Sequence, residues 1–60
     1  MKKEFYLAEL AQQIRKLPEA ESQDVLADYD AHFEAGREAG KTDADIARSL
    51  GTPKSVGQEI

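Results

Sequence analysis

The 60-residue chain contains no cysteine and no tryptophan, and it has only one histidine and two prolines. Without cysteine there is no disulfide framework, and one histidine cannot supply the four ligands of a cysteine and histidine zinc site. A chain of this length buries only about 60% of the surface that its unfolded form exposes. It therefore depends on tight helix packing, self-association or a partner, and we expect no cofactor.

Positive charge is also scarce, because 8 basic residues face 12 acidic ones and the net charge is -4. Nucleic acids and anionic membrane surfaces attract clustered lysine and arginine, so both are disfavoured as partners. The longest apolar run, Phe5-Tyr6-Leu7-Ala8, is far shorter than the ~20 residues of a membrane span, and no apolar signal-peptide region is present. We expect a cytoplasmic location.

Apolar spacing predicts an all-α fold. Residues 2–17 place five apolar side chains within about 100° of a helical arc, which is the buried stripe of an amphipathic helix. Pro18 suits the first turn of a second helix that runs to Ala39. Gly40 is expected to follow its end in the left-handed conformation. These two longer helices should form a hairpin.

A short helical corner is predicted after the hairpin. Thr42 is expected to cap a third helix that Gly51 closes, and Thr52 to cap a fourth helix with Pro53 at its first position. The whole is a compact module of about four helices. Its predicted core is Tyr6, Leu7, Leu10, Ile14, Leu17, Val25, Leu26, Tyr29, Phe33, Ile46, Leu50 and Val56.

Two glycines and the last residue add further expectations. Gly36 falls on the buried side of the second helix, where the missing side chain lets another segment approach closely. Gly57 is expected to weaken the fourth helix by about 1 kcal/mol relative to alanine. The chain ends on apolar Ile60 without a helix-stop signal. We therefore expect residues 1–60 to be one helical interaction domain of a longer protein.

Catalytic and metal-binding chemistry is not expected. His32 and Asp28 are neighbours on a helix, but so small a core leaves little room for a pocket. His32 is better interpreted as a half-covered residue at the edge of the buried face than as a pH sensor. The pairs Asp28-Ala-Asp30 and Asp43-Ala-Asp45 point about 200° apart on a helix and cannot chelate a metal ion.

A helix-turn-helix DNA reader is the main competing interpretation. The pattern Ile46-Ala47-x-x-Leu50-Gly51-x-x-x-x-Val56 has the small residue, glycine turn and apolar anchor of that motif. However, the turn is compressed, and the second helix offers DNA only Lys54 and Gln58, with Glu59 opposing phosphate. A tight helical corner explains the same residues.

Protein contacts are the remaining possibility. Phe5 lies roughly 140° from Leu10 on the first helix, so it is predicted to be exposed, and exposed aromatic residues make effective interface anchors. The acidic exterior of the second helix is the other candidate contact surface. The candidate partner-binding residues are Phe5, Asp24, Asp28, Glu34 and Glu38. A self-associating structural segment, for which Phe5 could be a contact residue, is a third alternative.

The order and spacing of four short motifs resemble the HAAS domain family over essentially all 60 residues. The Leu-Gly-x-Pro corner after a short helix is the most specific of them. The motifs are Leu17-Pro18-Glu19, Tyr29-x-x-x-Phe33-x-x-Gly36, Gly40-Lys41-Thr42 and Ile46-Ala47-x-x-Leu50-Gly51-x-Pro53.

The resemblance implies a small helical signalling module of a bacterial protein. Domains of this family typically form the cytoplasmic N-terminal part of longer, often membrane-anchored proteins. Their genes commonly lie beside genes for PadR-like transcriptional regulators, which implies that such a regulator is the partner. The family supplies no catalytic residues.

Overall fold

The computed structural model describes all 60 residues and consists of four α-helices without a strand. The helices are α1 Lys3–Gln13, α2 Glu19–Glu38, α3 Asp43–Leu50 and α4 Pro53–Glu59. The predicted all-α class and the short corner after two longer helices are confirmed. The folded chain is compact, with a radius of gyration of 11.0 Å.

The first helix is shorter than its apolar spacing predicts. It ends at Gln13, and Ile14 to Leu17 form a turn in which the Leu17 N–H donates to the Ile14 carbonyl at 3.0 Å. Pro18 accounts for the loss of helix before it, because it has no N–H to donate to the Ile14 carbonyl and its ring would clash with that carbonyl in a continuous helix. Ile14 and Leu17 keep a helical spacing in the sequence although the chain is already reversing direction there.

The end of α2 is built by Gly40, as predicted. Its φ of +85° is a left-handed conformation that favours glycine. The Lys41 N–H donates to the Gly36 carbonyl at 3.0 Å and the Gly40 N–H donates to the Arg37 carbonyl at 2.9 Å. This pair of hydrogen bonds is the Schellman motif, which satisfies carbonyls that the helix end leaves free.

The caps of the helical corner are also confirmed. The Thr42 hydroxyl accepts the Asp45 N–H at 3.1 Å, and the Asp45 carboxylate accepts the Thr42 N–H in return, which is a capping box. Gly51 closes α3 with a φ of +97°. Thr52 then caps α4 by accepting the Ser55 N–H at 3.1 Å.

Helix α1 lies at the centre of the module and contacts the other three helices, most extensively α4. The Tyr6 hydroxyl donates to Gly51, two residues before α4 begins, whereas Gln13 at the end of α1 faces Gly57 near the end of α4. Helix α4 therefore runs alongside α1 in the same direction. The sequence pattern predicts a helical corner that caps the hairpin. In the structure, the second helix of that corner, α4, also packs along α1.

Six apolar side chains form the buried core: Tyr6, Leu10, Ile14, Phe33, Ile46 and Val56. Half-buried residues pack around it: Leu17, Val25, Leu26, Tyr29, Ala47 and Leu50. Eleven of the twelve predicted core residues thus belong to this cluster. The prediction for Leu7 is wrong, because this side chain is half-buried and lies outside the cluster. It is about 100° around α1 from Tyr6, at the edge of the stripe.

Two glycines let helices approach closely. A Cβ built at Gly36 would lie 2.5 Å from Cδ1 of Ile46, which confirms the predicted close approach on the buried side of α2. A Cβ at Gly57 would lie 2.5 Å from Cβ of Gln13. The glycine expected only to weaken α4 is thus also the point at which α4 meets α1.

Candidate interaction surfaces

Charged side chains tie the start of α1 to the end of α2 and the start of α3. The Arg37 guanidinium donates two hydrogen bonds to the Asp43 carboxylate, from Nε at 2.8 Å and from Nη2 at 2.7 Å. The same carboxylate accepts the backbone N–H of Lys3 at 2.9 Å. Asp43 lies in the first turn of α3, and it also accepts a free N–H at the start of α1.

Two further acids complete this cluster, which we call the charged junction: Lys3, Asp30, Glu34, Arg37 and Asp43. The Lys3 ammonium lies 2.9 Å from Asp30 and 2.8 Å from Glu34. Glu34 also pairs with Arg37 at 3.2 Å. The junction therefore places Glu34, one of the candidate contact residues, within an internal ion-pair network.

The charged junction shifts the pKa values of its members in the directions expected for ion pairs. Hydrogen bonds from the Arg37 side chain and the Lys3 backbone hold the pKa of Asp43 well below its usual range. The Asp43 hydrogen bond raises the pKa of Arg37. Hydrogen bonds to Glu34 and Asp30 raise the pKa of Lys3. Each of these three shifts favours the charged form, so the ion pairs of Lys3, Arg37 and Asp43 persist near neutral pH.

The acidic exterior of α2 is exposed as predicted. Its four residues, Asp24, Asp28, Glu34 and Glu38, lie within about 120° of arc on the side of the helix opposite the buried Phe33. Only Glu34 forms an ion pair, and Asp24, Asp28 and Glu38 form none. Three carboxylates are thus free to meet a cationic partner.

The predicted exposure of Phe5 is confirmed, since 57% of its surface is accessible. Phe5 follows Lys3 by two positions, or about 200° around α1, and Lys3 is the residue that reaches α2. Phe5 therefore points away from the acidic exterior. The structure does not bring the candidate residues into one site but divides them between two sides of the molecule.

A groove that the sequence pattern does not predict lies between the start of α1 and the helical corner. Its volume is about 320 Å³, and its lining includes Met1, Tyr6, Ala47, Arg48, Gly51 and Pro53. The Tyr6 hydroxyl donates to the Gly51 carbonyl at 2.8 Å, and burial raises the pKa of this phenol. The sequence feature that could have predicted this hydrogen bond is the tyrosine on the buried stripe of α1, because a buried hydroxyl usually needs a partner.

The single histidine lines a second groove. His32 is exposed, and this groove of about 230 Å³ is also lined by Gly36, Lys41 and Ser49. The Ser49 hydroxyl donates to the Ile46 carbonyl at 2.8 Å. No three histidine, aspartate or glutamate side chains are grouped as metal ligands. None of the four helices has the length and apolarity needed to cross a bilayer.

These features define a small helical module that offers surfaces and grooves to other molecules. A family model described as HAAS matches residues 6–59, and the chain belongs to the HAAS family. This match supports a helical interaction module and confirms the resemblance seen in the sequence motifs. No curated protein and no solved structure matches the chain. The four acidic candidates lie inside the matched residues, whereas Phe5 precedes them.

Proposed function

We propose that this domain is a non-catalytic signalling module that couples the protein carrying it to a PadR-like transcriptional regulator. The regulator binds the acidic exterior of α2 directly. The HAAS membership supports this proposal, since the resemblance implies regulators of that type as partners. In this proposal the domain is the cytoplasmic part of a bacterial protein that a membrane segment outside residues 1–60 can anchor.

The acidic exterior of α2 is chosen as the binding surface because of how charge is distributed over the chain. Helix α2 contains seven acidic residues and one basic residue, a net charge of -6. The whole chain has a net charge of -4, so the other residues together carry +2. Since complementary charge guides encounter and excludes wrong partners, this polarity favours a partner with a basic surface. Transcriptional regulators have such surfaces because they bind DNA.

The free carboxylates are the part of that surface available for binding. Asp24 and Asp28 are one turn apart on α2 and form no ion pair in the structure. A partner arginine or lysine therefore replaces no internal contact when it pairs with them. Glu34 is paired with Lys3 and Arg37. It therefore adds to the negative electrostatic potential of this face of α2 more than it pairs directly with the regulator.

The test uses the PadR-like regulator encoded nearest the gene for this protein, purified and treated with nuclease, in a calorimetric titration with the 60-residue chain. Replacing Asp24→Asn and Asp28→Asn together should weaken binding about tenfold, a typical loss for two interface charges. The matched control, Glu4→Gln with Glu59→Gln, removes the same charge from α1 and α4 and should change the affinity by less than about threefold.

Other outcomes separate the alternatives. Equal weakening by both double variants would show general charge attraction and not a contact on α2. Loss of binding on Phe5→Ser alone would move the contact to α1. Binding that requires DNA, or tight binding of the chain to a duplex with steep salt dependence, would support the helix-turn-helix interpretation instead.

A further inference from the structure

We infer that the chain forms a two-fold symmetric dimer in which Phe5 of each copy enters the groove beside Tyr6 of the other. This inference goes beyond the proposed function and uses a different side of the molecule. It concerns the purified chain alone, so it stands or falls independently of the regulator.

The first step is the fit between an exposed side chain and an apolar groove. Phe5 is 57% accessible and Met1, at the edge of the groove, is 49% accessible. Aromatic residues, phenylalanine among them, are enriched at protein interfaces, and the residues that dominate the binding energy lie in well-packed pockets. The groove, with a volume of about 320 Å³, has room for such a side chain.

The second step is charge complementarity at the edges of the same two features. Arg48 lines the groove, is 81% accessible and approaches its only acidic neighbour, Asp45, at no less than 4.0 Å. Glu9 lies one turn after Phe5 on the same face of α1, is exposed, and forms no ion pair. A copy that inserts Phe5 next to Arg48 therefore also brings an unpaired carboxylate to an available guanidinium.

The third step is symmetry. Phe5 directly precedes Tyr6, which lines the groove, so each copy carries the inserted side chain and the receiving groove next to each other. A two-fold interface is self-complementary and requires this arrangement, because every contact occurs twice. Two Phe5 insertions and two Glu9–Arg48 pairs then form together and the assembly closes at two copies.

The small surface of the chain limits the affinity expected for the dimer. Stable interfaces bury about 800 Å² per partner, which is roughly a fifth of the 4157 Å² surface of this chain. Phe5 and one groove account for less than that area. The dimer should therefore be weak, with a dissociation constant in the range of about 10 µM to 1 mM.

The test is sedimentation equilibrium of the purified 60-residue chain across that concentration range. The wild-type chain should pass from monomer to dimer, and Phe5→Ser should raise the dissociation constant at least about tenfold. Glu9→Arg and Arg48→Glu should each weaken the dimer, and the variant carrying both exchanges should recover it. Arg15→Glu, an exposed exchange in the turn after α1, is the control and should leave the dimer unchanged.

Each other result counts against the dimer. A chain that stays monomeric at the highest concentration has no such interface. A dimer that tolerates Phe5→Ser uses another surface, and a double exchange that remains monomeric shows that Glu9 and Arg48 do not pair. Helical circular dichroism of every variant checks that the exchanges, all at exposed positions, leave the chain folded.

Discussion

The two sides of α1 are held to the rest of the molecule in different ways. At the charged junction, the start of α1 is held to α2 and α3 by ion pairs among side chains that are partly accessible to water. The other side we call the apolar seam, formed with α4 by Tyr6, Gln13, Gly51, Val56 and Gly57. There the Tyr6 hydroxyl bond is partly buried, and Gly57 lets the helices approach closely.

The difference predicts how each side responds to change. Ion pairs at a surface respond to pH and salt, and a missing partner is replaced by water. A close-packed seam responds to volume, because a buried atom without space must displace its neighbours. Substitutions at the seam should therefore cost more than substitutions at the charged junction, and only the junction should be sensitive to acid.

The largest effect is expected in the core, at a residue of α1 that belongs to neither side. Leu10 is fully buried in the middle of α1, so Leu10→Ala should lower the free energy of unfolding by about 2–5 kcal/mol. For a domain of this size that is a large share of a total of roughly 3–9 kcal/mol. Urea unfolding followed by circular dichroism measures it. A loss below about 1 kcal/mol would mean that the buried face of α1 is assigned incorrectly.

The next prediction compares the loss of stability caused by alanine at two glycines. Gly57→Ala places a Cβ 2.5 Å from Cβ of Gln13, an atom next to the backbone that cannot rotate away. We expect a loss of about 1–3 kcal/mol although alanine is the better helix former. Gly36→Ala meets Cδ1 and Cγ1 of the buried Ile46 instead, at 2.5 and 2.6 Å, and both atoms move when this side chain changes its χ1 rotamer.

Thermal unfolding of the two glycine variants side by side decides the comparison. The loss should be larger for Gly57→Ala, because its neighbour is the more rigid one. Increased stability of Gly57→Ala would show that helix propensity outweighs the close approach, and that α4 can move away from α1 at little cost.

The corner of the fold could be predicted because its chemistry is local. Thr42, Gly40 and Gly51 act on backbone groups within a few residues, so their sequence neighbours determine what they do. The end of α1 could not be read from apolar spacing, since Ile14 and Leu17 stay buried or half-buried in the turn. Packing of the turn buries the same two apolar side chains that a longer helix would bury.

The candidate surfaces were predictable only in part. Helical geometry shows that Phe5 and the acids of α2 are exposed, because it relates residues within one helix. It does not show which helices face each other, so it cannot place Phe5 and Asp28 on different sides of the molecule. The same limit hides the pairing of Lys3 with Asp43, whose members are 40 positions apart.

A smaller effect tests the polar contact of the seam. Tyr6→Phe removes the hydrogen bond to the Gly51 carbonyl and should cost about 0.5–1.5 kcal/mol near neutral pH. Because burial raises the pKa of Tyr6 above its ordinary value of 10.0, the unfolded chain loses this proton first. The wild-type chain should therefore lose stability as the pH rises above about 10, and the variant should lose less. Urea titrations at pH 7 and at alkaline pH measure both effects.

The smallest effect is expected at the charged junction, and it should depend on pH in the opposite direction. Asp43→Asn removes the charge that Arg37 pairs with, but the amide oxygen can still accept the Lys3 N–H. Because the pKa of Asp43 is lowered in the folded chain, its carboxylate stabilises the fold above the ordinary pKa of 3.8. That stabilisation is lost as the pH falls from about 5 towards 2. The melting temperatures of wild type and variant should therefore differ modestly at pH 7 and converge in acid. A difference that persisted unchanged at pH 2 would mean that Asp43 acts through packing or the Lys3 hydrogen bond. The charged junction would then stabilise α1 by contacts that do not depend on charge, as the apolar seam does.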